Sequence, residues 1–355
     1  MSEMTNFPTE GLKLQARLLA TASAAALLMT MYASQQAAAS ETDEPVIWIE
    51  LGGEFTQLET SQASYLPPFV LAEPRLPFIT ESPADIEKGA VTSWDGNAKI
   101  TFEPEGSDWS LSAGILYGRS VRSGSRRQQT AQRSVSTSIG YDAYQSTNAK
   151  NNESHMILDF QAGKDVGLGV IGNSGRSKVS VGVRYAQLNS ESTTNIFYQP
   201  TNSIHTYYKF SGTLNADRKF TGIGPSLSWD ASAGLIGQAN NGISFDWGVN
   251  GAVLFGRQRV RGHHQTTNLA VTYSRGQHKN PVYQTSVPLN RSKQVVVPNL
   301  GGFAGVSWRY PNAKISMGYR ADFFLGAMDG GIDTARKENV GFYGPFASVS
   351  IGLGG

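Results

Sequence analysis

The stretch "GVSWRYPNAKISMGYRADFF", Gly305 to Phe324, decides the fold. Val306, Trp308 and Tyr310 fall on one face of an extended chain, and Ser307 and Arg309 on the other. After Pro311-Asn312 the alternation resumes. Ile315, Met317, Tyr319, Ala321 and Phe323 share one face, while Lys314, Ser316, Gly318, Arg320 and Asp322 share the opposite one. Strand side chains alternate with period two, so the pattern predicts a hairpin with one apolar and one polar face. Alternation leaves open what the apolar face meets. A soluble barrel turns it inward, and a membrane barrel turns it toward lipid.

Segments of the same kind recur along the chain. They centre on Val46–Thr56, Ala98–Phe102, Trp109–Tyr117, Met156–Ala162, Val179–Tyr185, Lys219–Asp230, Ile243–Phe255 and Ala347–Leu353. With the hairpin they make about ten strands, within a range of eight to fourteen. The gaps between them alternate in length. Long ones follow Thr56, Arg119, Asn189 and Arg257, and shorter ones lie at Pro104–Ser107, Lys164–Arg176, Ala231–Gly242 and Pro311–Ala313. Long external loops at one end and short turns at the other are the pattern of an outer-membrane barrel.

Two further signals favour lipid. Lys13 and Arg17 precede an Ala-rich apolar run, Leu18 to Ala33, followed by Ala37-Ala38-Ala39. This reads as an export signal over residues 1–39, with the barrel over 40–355, and the run is shorter than the ~20 residues of a spanning helix. Trp109, Trp229, Trp308 and Tyr310 sit near the short-turn ends of their strands, as an aromatic belt requires, while Trp94 falls outside that set. The expectation is an all-β, antiparallel, up-and-down transmembrane β-barrel in the cell outer membrane.

Composition narrows the function classes. Hydrophobic residues make up 39% of the 355, enough for a packed structure, and the net charge of +2 is too small for a nucleic-acid binder. With no Cys, thiol nucleophiles and disulfide frameworks are excluded. Gly167 to Gly172 spells G-x-G-x-x-G, but no helix or properly spaced acid follows, so it reads as a turn. His263, His264 and His278 lack the ordered spacing and carboxylates of a metal site. His155 and Asp159 are too far apart on one strand to pair, and no nucleophile or acid–base motif stands out. No enzyme, cofactor or metal is expected.

The polar faces carry the functional candidates. Turned inward, Glu50, Glu54, Lys99, Arg184, Asp246, Lys314, Arg320 and Asp322 line a lumen. The long gaps divide by charge. Arg126, Arg127, Arg257, Arg259, Arg261 and Lys279 are read as external basic loop residues, whereas Glu59, Glu73, Glu81, Asp85, Glu87 and Asp95 make the first gap acidic. Basic loops can bridge lipopolysaccharide phosphates or draw anions to a pore mouth.

Two stretches carry a family resemblance. "FTGIGPSLSWDAS", Phe220–Ser232, and "GYRADFFLGAMDGGID…GFYGPFASVSIGLGG", Gly318–Gly355, resemble pore-forming outer-membrane barrels of the Legionella major outer-membrane protein type. That resemblance implies a porin-like protein with no catalytic residues. Many such barrels end in an aromatic residue, whereas Leu353-Gly354-Gly355 ends this chain, so the signal for the barrel-assembly machinery is expected to be weak or to lie inside it. The expected task is passive diffusion of small hydrophilic solutes or ions through a polar lumen. With about ten strands that lumen is narrow, or closed by the Pro-rich stretch Tyr65–Phe78 folding in. The alternative is a non-conducting surface protein whose loops bind lipopolysaccharide or host surfaces. Expected partners are outer-membrane lipid and lipopolysaccharide, with homo-oligomers an option and nucleic acid excluded.

Overall fold

A computed structural model describes residues 47–60, 91–104, 107–133, 140–166, 176–200, 206–238, 241–274, 277–279, 282–330 and 335–353. The export segment, the Pro-rich stretch and the G-x-G-x-x-G turn lie outside them. The described elements are all strands: β1 Ile47–Thr60, β2 Val91–Phe102, β3 Trp109–Arg133, β4 Gly140–Asp165, β5 Arg176–Pro200 and β6 Thr206–Gln238. They continue with β7 Asn241–Ser274, a three-residue β8 Gln277–Lys279, β9 Val282–Tyr310, β10 Ala313–Asp329 and β11 Lys337–Leu353.

The ten long strands pair antiparallel, each with its neighbours in sequence, apart from the β7–β9 pair that skips β8. β1 pairs with β11 from Ile47↔Leu353 to Thr60↔Val340, which closes the barrel. Closure satisfies every ladder hydrogen bond internally, which hydrocarbon requires of any spanning structure. The opening hairpin is β9–β10, with Tyr310 opposite Ala313 and Pro311-Asn312 as its two-residue turn.

The apolar faces point outward. Trp308, Ile315 and Met317 are all exposed, Met317 by 62%. So are Leu111 on β3, Val181 on β5, Leu227 on β6, Val249 on β7 and Ile351 on β11. Such a continuous band would be insoluble in water and fits lipid. On β3 it runs from Trp109 to Tyr117, about 20 Å in height for a strand tilted ~40°. Tyr117 and its partner Met156 close the band on β3 and β4. Trp94 lies at the edge of the band away from the short turns: it is on β2, opposite Arg119, 77% exposed and edge-to-face with Phe55 at 5.0 Å. Its sequence neighbours hide this, because β2 begins earlier than its alternation shows.

Three of the expected long loops are strands instead. β3 and β4 stay paired from Trp109↔Lys164 to Arg133↔Gly140, β5 and β6 to Tyr198↔Phe210, and β7 and β9 to Leu269↔Val282. Asp95, expected in the acidic loop, lies on β2, and Glu59 on β1. The reason is physical. Alternation records burial against lipid, whereas ladder hydrogen bonds form between polar strands as readily as apolar ones. Strands β3 to β9 therefore rise past the membrane as a wall. From Arg119 to Arg133 it climbs about 35 Å at ~3.3 Å per tilted residue.

Candidate functional site

The lumen divides into three storeys. The lowest, at the short-turn end, is a cavity of about 900 Å³. Its lining includes Glu50, Lys99, Arg184, Asp246, Lys314, Arg320 and Asp322, all candidates from the polar faces. The eighth, Glu54, lies buried above it and accepts a hydrogen bond from Arg320 Nη1. Inward placement follows from parity alone, since each alternates with an outward apolar residue.

These charges hold one another. Asp246 meets Lys314 Nζ at 2.6 Å and Arg309 at 3.6 Å, and accepts from the hydroxyls of Ser232 and Ser307 at 2.6 and 2.7 Å. Arg184 is the longest-reaching member. Its Nε and Nη2 donate to both oxygens of Asp159 at 2.7 and 2.9 Å, and its Nη1 donates to Asn250 at 2.7 Å and to Asn299. Asp322 stands 3.8 Å from the same nitrogen. One guanidinium on β5 thus ties β4, β7, β9 and β10 together across the lumen, using the fork geometry that suits arginine to paired carboxylates.

Above this crosspiece the lumen is apolar. Leu188, Phe220, Leu254, Val297 and Phe324 are 1% exposed or less, and Leu58, Ile157, Val340 and Phe342 join the same cluster. Phe324 meets Phe342 edge-on at 6.0 Å. A bulge in β10 supplies the extra inward residues: the register shifts between Phe324 and Met328, and Gly326 adopts φ +66°. Its N–H donates to Asn339 Oδ1 at 2.7 Å, and its carbonyl accepts from Gln258 Nε2 at 2.6 Å. A bulge re-aims side chains, and here it seats Ala327 and Met328 in the cluster, both buried. Nothing in the alternation of β10 announced this septum, because a bulge breaks the period that would reveal it.

The septum carries one polar pair, which the sequence reading missed. His155 Nε2 lies 3.2 Å from Asp95 Oδ2, and the imidazole stacks 3.9 Å from Phe342. Asp95 also accepts from Thr56 at 2.6 Å and Ser93 at 2.5 Å. Asp159, the carboxylate on the same face of His155's own strand, is held by Arg184 instead. Gly118 leaves room for the pair, since a Cβ there would lie 1.9 Å from Asp95 Oδ1. Gly118→Ala should therefore lower barrel stability by about 1–3 kcal/mol, read from urea unfolding in micelles.

The third storey is the inner face of the wall. Arg291 grips Asp329 at 3.0 and 3.2 Å, Arg218 faces Glu338 at 3.7 Å, and Ser190 donates to Glu153 at 2.8 Å. Glu153 stands beyond Met156, outside the apolar band. Burial pushes its carboxyl up to about 7, and Glu338 adds to the push, against the pull of Ser190 and Arg218. An unfolded glutamate titrates near 4.5, so the fold holds this proton more tightly. Its stabilisation is complete below ~4.5 and lost as pH rises through 7. Glu153→Gln should flatten that dependence, measured by hydrogen exchange of Asn189–Arg218 across about pH 5 to 8.

The remaining candidates lie outside the lumen. Trp109, Trp308 and Tyr310 are exposed on the lipid face, while Trp229 is half-covered because its Nε1–H donates to Ser177 at 2.8 Å. Arg257, Arg259 and Arg261 are exposed on the outer face of β7. Arg126 and Arg127 fall on β3 and Lys279 on β8, so all six basic candidates are strand residues. His263 is on β7 and His278 on β8, and no His or carboxylate cluster able to hold a metal occurs among the described residues.

No curated protein matches the sequence. Among solved structures, the outer membrane protease OmpT of Escherichia coli aligns at 11% identity and TM-score 0.39, over 89% of this chain and 99% of its own. The translocator domain of the autotransporter NalP of Neisseria meningitidis aligns at 9% and 0.21, over 93% and 96%. The transport unit of the autotransporter AIDA-I of Escherichia coli aligns at 8% and 0.26, over 89% and 93%. Likenesses this distant carry no functional argument. Residues 125–352 match the family described as Legionella pneumophila major outer membrane protein precursor. That stretch is well over half of the chain and includes eight of the ten barrel strands in whole or part, so the protein belongs to the Legionella major outer membrane protein family, and its place is the outer membrane.

Proposed function

We propose that this protein is a sealed outer-membrane barrel that presents its tall strand wall outside the cell as a binding surface. The septum carries the reading. A layer of side chains with no accessible surface lies between the polar cavity and the exterior, and Phe220, Leu254, Val297 and Phe324 form its centre. A hydrophobic constriction blocks ions by excluding water even before steric closure. The wall supports the same reading from the other side, because six paired strands make a more defined surface than the loops expected there.

A second reading is favoured by the cavity itself. About 900 Å³ lined by paired charges is room for a hydrated small solute. In that reading the barrel is a diffusion channel and the septum its gate. Single-channel recording of the refolded chain in planar bilayers separates the two. The sealed barrel shows no discrete steps at either polarity. Steps in the unaltered chain would sink the sealed reading and restore the channel, with the reversal potential in a salt gradient giving its ion preference.

A further inference from the structure

The lipid-facing surface changes character sharply on one side of the barrel. Phe255 on β7 is exposed at the edge of the apolar band, with Ile223 of β6 and Val296 of β9 opposite it. Two residues further on, the outward positions of β7 become Arg257, Arg259 and Arg261, all exposed. At ~3.3 Å per residue and a tilt of ~40°, Arg257 and Arg259 stand about 5 and 10 Å above the hydrocarbon edge. Arg257 therefore stands in the headgroup layer, which adds roughly 5–8 Å to each side of the hydrocarbon, and Arg259 just above it, within a side chain's reach of it.

Register shows what faces these cations. Arg259 lies opposite Lys219 on β6 and Ser292 on β9, and Arg257 opposite Thr221 and Gln294. Neither has a carboxylate in register. Arg257 Nε donates to Ser292 Oγ, which steadies its guanidinium without neutralising it. The nearest acid is Asp217, opposite Arg261. Three cations thus crowd at phosphate height. At the corresponding outward positions β3 has one exposed cation, Arg119, which donates to Asn152, while β1 has Gln57, β5 has Gln187 and Asn189, and β10 has Leu325, so only β6 and β7 bring three cations together among these.

We propose that Lys219, Arg257 and Arg259 form a site on the outer face of β6 and β7 that holds phosphate groups of the outer-leaflet glycolipid, lipopolysaccharide. Charge complementarity selects the ligand: guanidinium forks suit phosphate oxygens, and the phosphates of an outer-leaflet glycolipid lie at this depth. The apolar strip of Phe255, Ile223 and Val296 directly below would take its acyl chains. This site names one partner for the presented surface, and rests on that reading only for the wall facing outward.

The test is binding by the full detergent-folded chain to lipopolysaccharide, to the same glycolipid dephosphorylated, and to phosphatidylglycerol vesicles. The variants are Lys219→Gln/Arg257→Gln/Arg259→Gln and the charge-keeping Arg257→Lys/Arg259→Lys. Folding is checked by gel mobility before and after heating. The parent should bind intact lipopolysaccharide at least tenfold more tightly than the neutral triple variant, with dephosphorylation reproducing the loss. The lysine pair should fall between, since it keeps charge and loses the fork. Equal binding by parent and triple variant would overturn the proposal, as would phosphatidylglycerol binding the parent as well as lipopolysaccharide does. Because the readout is lipid binding, conduction through the lumen would overturn the sealed barrel and leave this site standing.

Discussion

Truncating the septum should open the barrel. In the Phe220→Ala/Phe324→Ala variant, discrete conductance steps are expected in planar bilayers where the parent chain shows none. Both rings are fully buried, one on β6 and one on β10, and Phe324 leans on Phe342. Removing them leaves a void between the polar cavity below and the charged pairs above. Large-to-small changes of this kind cost about 3–5 kcal/mol each in a core, so folding must be verified by gel mobility. Leu254→Asn tests the same layer without truncation: it keeps the number and branching of the side-chain atoms and adds a polar amide, which favours wetting of the constriction. Folded variants that both stay silent would show that the barrier lies elsewhere, with the Arg184 crosspiece and the Arg218–Glu338 pair as the places to look.

The barrel was legible because lipid burial writes a period of two. Val306, Trp308, Ile315 and Met317 announce the hairpin, and the same rule placed all eight lumen candidates inside. The wall was not legible. Around Arg126 the strand is polar on both faces, and beside Arg259 Val260 alone is apolar, so hydrogen-bonded pairing leaves no hydrophobic period there. The septum was hidden for a different reason. Leu254 and Val297 are inward apolar residues between outward apolar ones, so Val253-Leu254-Phe255 reads as a continuous run and its parity is lost. The Asp95–His155 pair joins β2 to β4 across β3, and Gly118 marks the crossing only once the register is known.

That interior also predicts where a single charge matters most. Arg184→Met should cost about 3–5 kcal/mol of barrel stability, read from urea unfolding in micelles. The methionine fills much of the volume, but Asp159 and Asp322 lose the cation between them, and Asn250 and Asn299 lose their donor. Adding Asp159→Asn should recover part of the loss, because one of the two stranded carboxylates is then gone. Lys314→Met is the informative contrast. Lys314 is more exposed, at the mouth of the cavity, and its partner Asp246 keeps Arg309 and three serine hydroxyls. Its cost should be about 1 kcal/mol or less. The difference measures how dry the lumen becomes between mouth and septum. Equal costs for Arg184→Met and Lys314→Met would mean that water reaches Arg184 as freely as it reaches the mouth, so that the barrier to ions would rest on the apolar septum above it alone.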